Sequence, residues 1–207
     1  KNNISNTYVE QILLLYPEDA YVNFIASKHY FEIDDLKTSL IYGNRSYNID
    51  PENSETIYLL SLLYTTNYEY ELAVQLLEKS IKISRSDSFV WYLLGEIYLK
   101  LENVEKSVYS FGTALSYSPQ SEISRIALEN ILLKYYSIDD PLRVKYADYH
   151  FNLANDLLEK NLASQARDEI RRGLLLYPHS INGQKLYADI MKTRGFLNNY
   201  FSVIFTR

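Results

Sequence analysis

The sequence predicts an all-α protein in which pairs of antiparallel helices stack into an α-solenoid. The 207 residues include only six glycines and five prolines, so few positions break a helix. Apolar residues recur at spacings of three and four along most of the chain, which is the pattern of amphipathic helices. Pro17 and Pro51 lie 34 residues apart, and Pro119 follows at twice that interval, which indicates a structural repeat.

The third repeat, residues 88–121, carries the most complete pattern. The residues at the characteristic positions of this repeat are Trp91, Leu94, Gly95, Tyr98, Ser107, Phe111, Ala114 and Pro119. This order of large, small and aromatic residues resembles the tetratricopeptide repeat (TPR), with Ser107 in place of the usual alanine. The resemblance implies two antiparallel helices in each repeat and a right-handed superhelix of helix pairs.

Two earlier repeats, at 20–53 and 54–87, follow the same order with more departures. The residue that lets the two helices approach closely is small in all three repeats: Ser27, Ser61 and Gly95. Arg85 stands where a proline usually ends the second repeat. Asn23 and Gly43 occupy positions that are usually large and apolar, so we expect the first repeat to be packed more loosely.

After the third repeat the period is interrupted, because Pro178 lies 59 residues beyond Pro119 instead of 34. The sequence therefore predicts one inserted helix, at 122–140, followed by a fourth repeat at 141–180. Asp140 and the proline after it are a good N-cap and first helical residue, so a helix is expected to begin there.

Half repeats are predicted at both ends, at 1–19 and 181–207, and together the repeats are expected to form a single domain. The chain's one methionine is Met191, so residue 1 is not an initiator. We therefore expect the chain to be a piece of a longer protein.

Composition argues against several classes of function. Acidic residues outnumber basic ones, 26 to 21, and the net charge of −5 does not favour nucleic-acid binding. The chain has no cysteine, and its three histidines are not at metal-ligand spacing. No phosphate-binding loop or nucleophile motif occurs, and no apolar run approaches the ~18 residues of a membrane span. We expect no catalytic residue, no cofactor, no metal site and no membrane span.

The TPR resemblance implies that first helices line a concave groove, which receives a peptide or a helix of a partner protein. The residues predicted to line it are Tyr21, Phe24, Lys28, Phe31, Tyr58, Leu62, Phe89, Tyr92 and Glu96. In the fourth repeat Phe151 is predicted to join them. Aromatic side chains bury a large area with little loss of rotamer entropy, so we expect an apolar partner segment. The alternative is that these rings pack against the chain's own helices.

Two specialised kinds of helical repeat fit less well. Some TPR domains hold the carboxylates of chaperone tails with a set of basic residues, but the corresponding positions here are Phe24, Lys28, Leu59, Phe89 and Leu93. Only one of them is basic. RNA-binding pentatricopeptide repeats have a longer period and a basic groove, which neither the 34-residue period nor the net charge matches.

A second function class stays open, in which the chain is an assembly element that self-associates or docks laterally within a larger complex. A bacterial envelope machine is one example. The bias toward Asn, Lys, Ile and Tyr is typical of an AT-rich genome. The compartment is left open between cytoplasm and bacterial periplasm or envelope. The mixed charges of residues 159–172 are interpreted as a solvated outer face, with an acidic partner as the alternative.

Overall fold

The computed structural model describes the backbone of residues 2–193 and the side chains of residues 6–192. Eleven helices and no strand occur in this part of the chain, which confirms the all-α class. The helices are α1 (Asn2–Leu15), α2 (Ala20–Glu32), α3 (Leu36–Ile49), α4 (Ser54–Thr66), α5 (Tyr70–Ile83), α6 (Ser88–Lys100), α7 (Val104–Tyr117), α8 (Glu122–Tyr135), α9 (Pro141–Glu159), α10 (Ala163–Leu176) and α11 (Ile181–Thr193).

The helices belong to two compact units, which meet along the chain between Ser124 and Arg125, inside α8. In the first unit the pairs α2/α3, α4/α5 and α6/α7 coincide with the three predicted repeats. A helix also forms at the predicted insertion, and α9 begins at Pro141 with Asp140 as its N-cap, as expected. The single domain and the inserted status of α8 stay predictions.

Small residues bring the two helices of a pair into contact. In the first repeat the Ser27 hydroxyl donates to the Ser39 carbonyl oxygen at 2.8 Å, and the Ser39 hydroxyl donates back to the Ser27 carbonyl at 2.7 Å. In the third repeat the Ser107 hydroxyl donates to the Gly95 carbonyl at 2.7 Å. These residues are all buried. The serines therefore satisfy their own hydroxyls while keeping the two backbones close.

The expectation that the first repeat is loosely packed is wrong. A Cβ added to Gly43 would lie 2.9 Å from a methyl carbon of Leu60 and from the Ser27 hydroxyl, so neighbouring side chains already fill the space. Asn23 is fully buried, and its amide nitrogen donates to the carbonyls of Pro17 and Asp19 at 2.8 and 2.7 Å. The polar side chain at this position ties the start of α2 to the preceding turn.

The turn inside each helix pair has one backbone conformation throughout. Four residues that are not glycine have φ between 56° and 65°: Asp34, Tyr68, Glu102 and Asn161. The amide of the residue after each one donates to a helix carbonyl five positions earlier, as Asn103 does to Tyr98 at 2.8 Å. This is the Schellman arrangement, which usually has glycine at the left-handed position. These residues are spaced by 34, 34 and 59, and the prolines from Pro51 to Pro178 have the same spacing once Arg85 is counted at its repeat position.

A large aromatic ring joins the helices of the second unit. Phe151 is almost completely buried, and its ring occupies the space that a Cβ would need at both Gly173 and Gly183. It therefore joins α9 to α10 and α11, and the prediction that it lines a groove is wrong. Arg143 is also buried and donates to the Leu176 carbonyl at 2.7 Å, which caps the end of α10. The predicted second helix of the last half repeat lies outside the described residues.

Gly95 and Gly112 provide a matched pair for testing the close approach. Alanine at Gly95 would place its Cβ 2.6 Å from the buried Phe111 ring, whereas alanine at Gly112 would meet nothing within 4 Å. We expect Gly95→Ala to lower the free energy of unfolding by about 1 to 3 kcal/mol. Gly112→Ala should raise it by up to about 1 kcal/mol, because alanine is the better helix former. Denaturant unfolding followed by the fluorescence of Trp91, the only tryptophan, measures both.

Glu102 lies in the left-handed region, where a residue with a Cβ is disfavoured by about 1 to 2 kcal/mol. Glu102→Gly should therefore stabilise the first unit by about 1 kcal/mol, even though glycine usually destabilises a fold. Lys79→Gly is the control. Because Lys79 is exposed within α5, this substitution should lower the free energy of unfolding by about 1 kcal/mol. Equal losses in the two variants would contradict the strain argument.

Candidate protein-binding groove

The predicted groove residues of the first unit differ in how much surface they present. Tyr21 is 62% exposed, Leu62 46% and Phe89 45%, and Lys28 is exposed as well. Phe31, Tyr58, Tyr92 and Glu96 are partly buried, and Phe24 is buried. The predicted groove residues of α2, α4 and α6 thus include both exposed and partly or fully buried side chains.

Four aromatic rings form a connected series across three helices. The Tyr58 ring of α4 meets Phe89 of α6 edge to face, with centroids 5.2 Å apart. Phe89 stacks on Tyr92 at 5.9 Å, and Tyr92 contacts Phe111 of α7 at 5.7 Å. We call Tyr58, Phe89, Tyr92 and Phe111 the ring series. Its inner end is the fully buried Phe111 and its most accessible member is Phe89, so a surface ring is anchored directly to the core.

A hydrogen bond holds the outer end of the ring series. The Tyr58 hydroxyl donates to a carboxylate oxygen of Asp87. The other carboxylate oxygen accepts from the backbone amides of Phe89 and Val90, which caps the N-terminus of α6. Burial and the hydrogen bond to Asp87 both raise the pKa of the Tyr58 hydroxyl, so it stays protonated and donating. One carboxylate therefore fixes both a groove tyrosine and the start of the next helix.

Glu96 lies one helical turn beyond Tyr92 on α6. Burial raises the pKa of its carboxyl group, and the charge of Lys100 opposes that rise. Burial and the charge of Glu96 together raise the pKa of Tyr92. The structure gives the Glu96 carboxylate no hydrogen bond and no ion pair within 4.0 Å from the described residues.

Two of the predicted groove residues contribute mainly to packing. Phe24 is only 9% exposed and contacts Tyr21, with ring centroids 6.2 Å apart. Phe31 packs against the apolar core formed by the second and third repeats. Tyr58 also packs against this core while it presents part of its ring. Some of the predicted groove residues therefore pack against the chain's own helices, whereas others are accessible. Ligand contact by the accessible residues stays a prediction.

The second unit contains a polar cluster that the sequence analysis missed. His150 is fully buried between two carboxylates, with Nε2 2.7 Å from Glu129 and Nδ1 2.6 Å from Glu169. Arg172 donates to the second oxygen of Glu129 at 3.0 Å. The interpretation of residues 159–172 as a solvated face is therefore wrong for Glu169 and Arg172. They fasten α10 to α9 and to α8.

The charge on His150 follows from its neighbours. Burial lowers the pKa of the imidazole, but the hydrogen bonds to Glu129 and Glu169 outweigh that effect, and the pKa is raised. The hydrogen bond from His150 lowers the pKa of Glu169 in turn. A protonated His150 donates to both carboxylates, whereas a neutral ring can donate to one only. Attraction between neighbouring charges of opposite sign therefore stabilises the cluster.

Residues 6–192 hold no group of three His, Cys, Asp or Glu side chains arranged to bind a metal ion. Within residues 2–193, each helix is too short or too polar to span a bilayer.

Helix pairs that recur every 34 residues and turn in the same left-handed conformation define a TPR-type α-solenoid. The predicted fold class is confirmed, and known proteins agree with it. A family model described as anaphase-promoting complex, cyclosome, subunit 3 matches residues 32–114, which is less than half of the chain. No curated protein is significantly similar in sequence.

Several solved structures share the fold at low sequence identity. YrrB, described as a TPR protein with an unusual peptide-binding site, is 16% identical with a TM-score of 0.54, covering 84% of this chain and 95% of YrrB. The first TPR of Spaghetti (RPAP3), bound to the HSP90 peptide SRMEEVD, is 16% identical with a TM-score of 0.54, over 57% of this chain and 94% of that one. The APC/C hetero-tetramer Cut9-Hcn1 is 13% identical with a TM-score of 0.59, and the match covers 94% of this chain and 40% of that one.

The polar cluster makes stability depend on pH. Because the pKa of His150 is raised in the folded state, its contribution is complete below the unfolded pKa of about 6.5 and is lost as pH rises through the folded pKa. Wild type should therefore lose its stability advantage over His150→Gln as the pH increases through that range. His179→Gln is the control, because His179 is exposed. Denaturant unfolding followed by circular dichroism checks this, and a constant difference would contradict it.

Proposed function

We propose that the first unit is a protein-interaction scaffold, which binds an apolar segment of a partner protein along the ring series. The observation that carries this proposal is the accessible Phe89, held between Tyr58 and Tyr92 by ring contacts on both sides. Leu62, on the neighbouring helix α4, adds an exposed aliphatic side chain at a predicted groove position. Together they offer a partner a mixed aromatic and aliphatic surface.

The energetics of the ring series favour this use. A binding surface whose side chains are already fixed loses little rotamer freedom when a ligand arrives. Phe89 is fixed by its two ring contacts, and Tyr58 is fixed by its hydrogen bond to Asp87. Clusters of rigid aromatic residues with accessible faces supply most of the binding energy in many protein interfaces.

The comparisons support the general class of function. The names of YrrB and of the Spaghetti TPR refer to a peptide-binding site and a bound peptide in those proteins. The Spaghetti peptide, SRMEEVD, is rich in acidic residues. Here Lys28 is the one basic residue among the nine predicted groove positions, so the proposed ligand is apolar and not an acidic tail.

Lateral assembly is the second candidate, and α1 is the observation that favours it. Leu14 is 83% exposed and Leu15 71%, next to the exposed Tyr16. Contiguous apolar side chains of this kind are typical of interaction surfaces. An assembly contact at α1 would not depend on the ring series, so substitutions in the groove distinguish the two functions.

The test begins by selecting binders to the chain from a random peptide library. Replacing both Leu62 and Phe89 with serine should weaken the selected peptides by about tenfold or more, the usual effect of losing central apolar contacts. The control replaces Leu72 and Ile83, exposed residues of α5, with serine. Calorimetry measures the affinities, and circular dichroism checks that helical content is kept. Equal losses in both variants, or no loss in the first, would argue against a ligand in the groove.

A further inference from the structure

We propose that the partner segment carries a lysine or arginine beside its apolar residues. The cationic group would lie against the rings of Phe89 and Tyr92 and pair with the carboxylate of Glu96. This inference rests on the proposed function, because it names the chemistry of the ligand for the same groove. It commits to a basic peptide segment of a partner protein as the occupant.

The three groups share one face of α6. Tyr92 follows Phe89 by three residues and Glu96 follows Tyr92 by four, which places all three side chains along the same side of a helix. Phe89 and Tyr92 stack with their planes inclined by 21°, and Phe89 is 45% exposed, so this pair of rings is accessible to a ligand. The charge of Glu96 acts on Tyr92, so the carboxylate lies near the same pair of rings. Aromatic faces attract cations, and a nearby carboxylate adds a charge-assisted hydrogen bond.

Glu96 has no polar partner among the described residues. Its side chain is partly buried, and these residues provide its carboxylate with no hydrogen bond or ion pair within 4.0 Å. Lys100 acts on it electrostatically, from the next turn of α6, without forming such a pair. The carboxylate oxygens are not among the buried side-chain atoms that lack a hydrogen-bond partner, so solvent reaches them. The carboxylate is therefore open to pairing with a cation from a ligand.

The surrounding charges complement a basic ligand more than an acidic one. Glu55 is exposed in the first turn of α4, and Asp87 lies at the start of α6. Lys28 and Lys100 are the exposed cations on α2 and α6. The chain as a whole has a net charge of −5, which attracts a positively charged segment. An acidic segment would bring a second carboxylate next to Glu96.

The experiment compares peptides selected by the wild-type chain with those selected by Glu96→Gln. Glutamine keeps the shape of the side chain and removes its charge. We expect wild-type binders to be enriched in lysine or arginine next to apolar residues, and the variant to select apolar residues without that enrichment. Glu105→Gln is the matched control, because Glu105 is an exposed carboxylate of α7 and should leave the enrichment unchanged.

A defined peptide then measures the pairing. One wild-type binder is synthesised with its basic residue and with glutamine in its place. The exchange should weaken binding to the wild-type chain by about tenfold and have almost no effect on binding to Glu96→Gln. Such coupling between two substitutions reports the direct contact.

The outcomes separate this inference from the proposed function. Apolar binders without basic enrichment, which still require Leu62 and Phe89, would overturn the inference and leave the proposed function in place. Basic enrichment that persists in Glu96→Gln would also overturn it, since the cation would then have another partner. Binders that ignore the Leu62 and Phe89 substitutions would overturn both.

Discussion

The first unit depends on the close contact between the two helices of each repeat. Gly95 leaves room for the Phe111 ring, and Ser27 forms a hydrogen bond with Ser39, so small residues let the two helices of a repeat pack closely. This approach fixes the position of each first helix relative to its second helix, and the next pair stacks on both. The ring contact from α4 to α6 requires that stacking, so the ring series depends on these small residues.

The second unit shares this packing and adds a buried charged cluster. Phe151 fills the space beside two glycines, as a phenylalanine does in the third repeat, and His150 forms hydrogen bonds with two carboxylates in the same region of α9. Buried charges are costly unless each is paired, and here Arg172 lies 3.0 Å from Glu129 and 3.9 Å from Glu169. Both units thus have an apolar core, and the second also contains a cluster of paired charges.

The sequence predicted the features that depend on local order and period. The helix pairs follow from spacings along the chain, and the N-cap at Asp140 follows from the aspartate that precedes Pro141. The burial of the predicted groove residues was not predictable in the same way, because Phe24 and Tyr58 occupy equivalent repeat positions and yet differ in exposure. The His150 cluster was missed because Glu129 lies 21 residues away, in a different helix. Contacts of that kind depend on the folded path of the chain.

The hydrogen bond between Tyr58 and Asp87 couples neighbouring repeats through a surface residue. Repeat proteins change by duplicating or exchanging whole units, which succeeds when each unit contains its own recognition surface. Here the aromatic surface is shared, because a tyrosine of the second repeat is held by the cap of the first helix in the third. A fragment that keeps this hydrogen bond and the ring series together must therefore contain both repeats, residues 54–121.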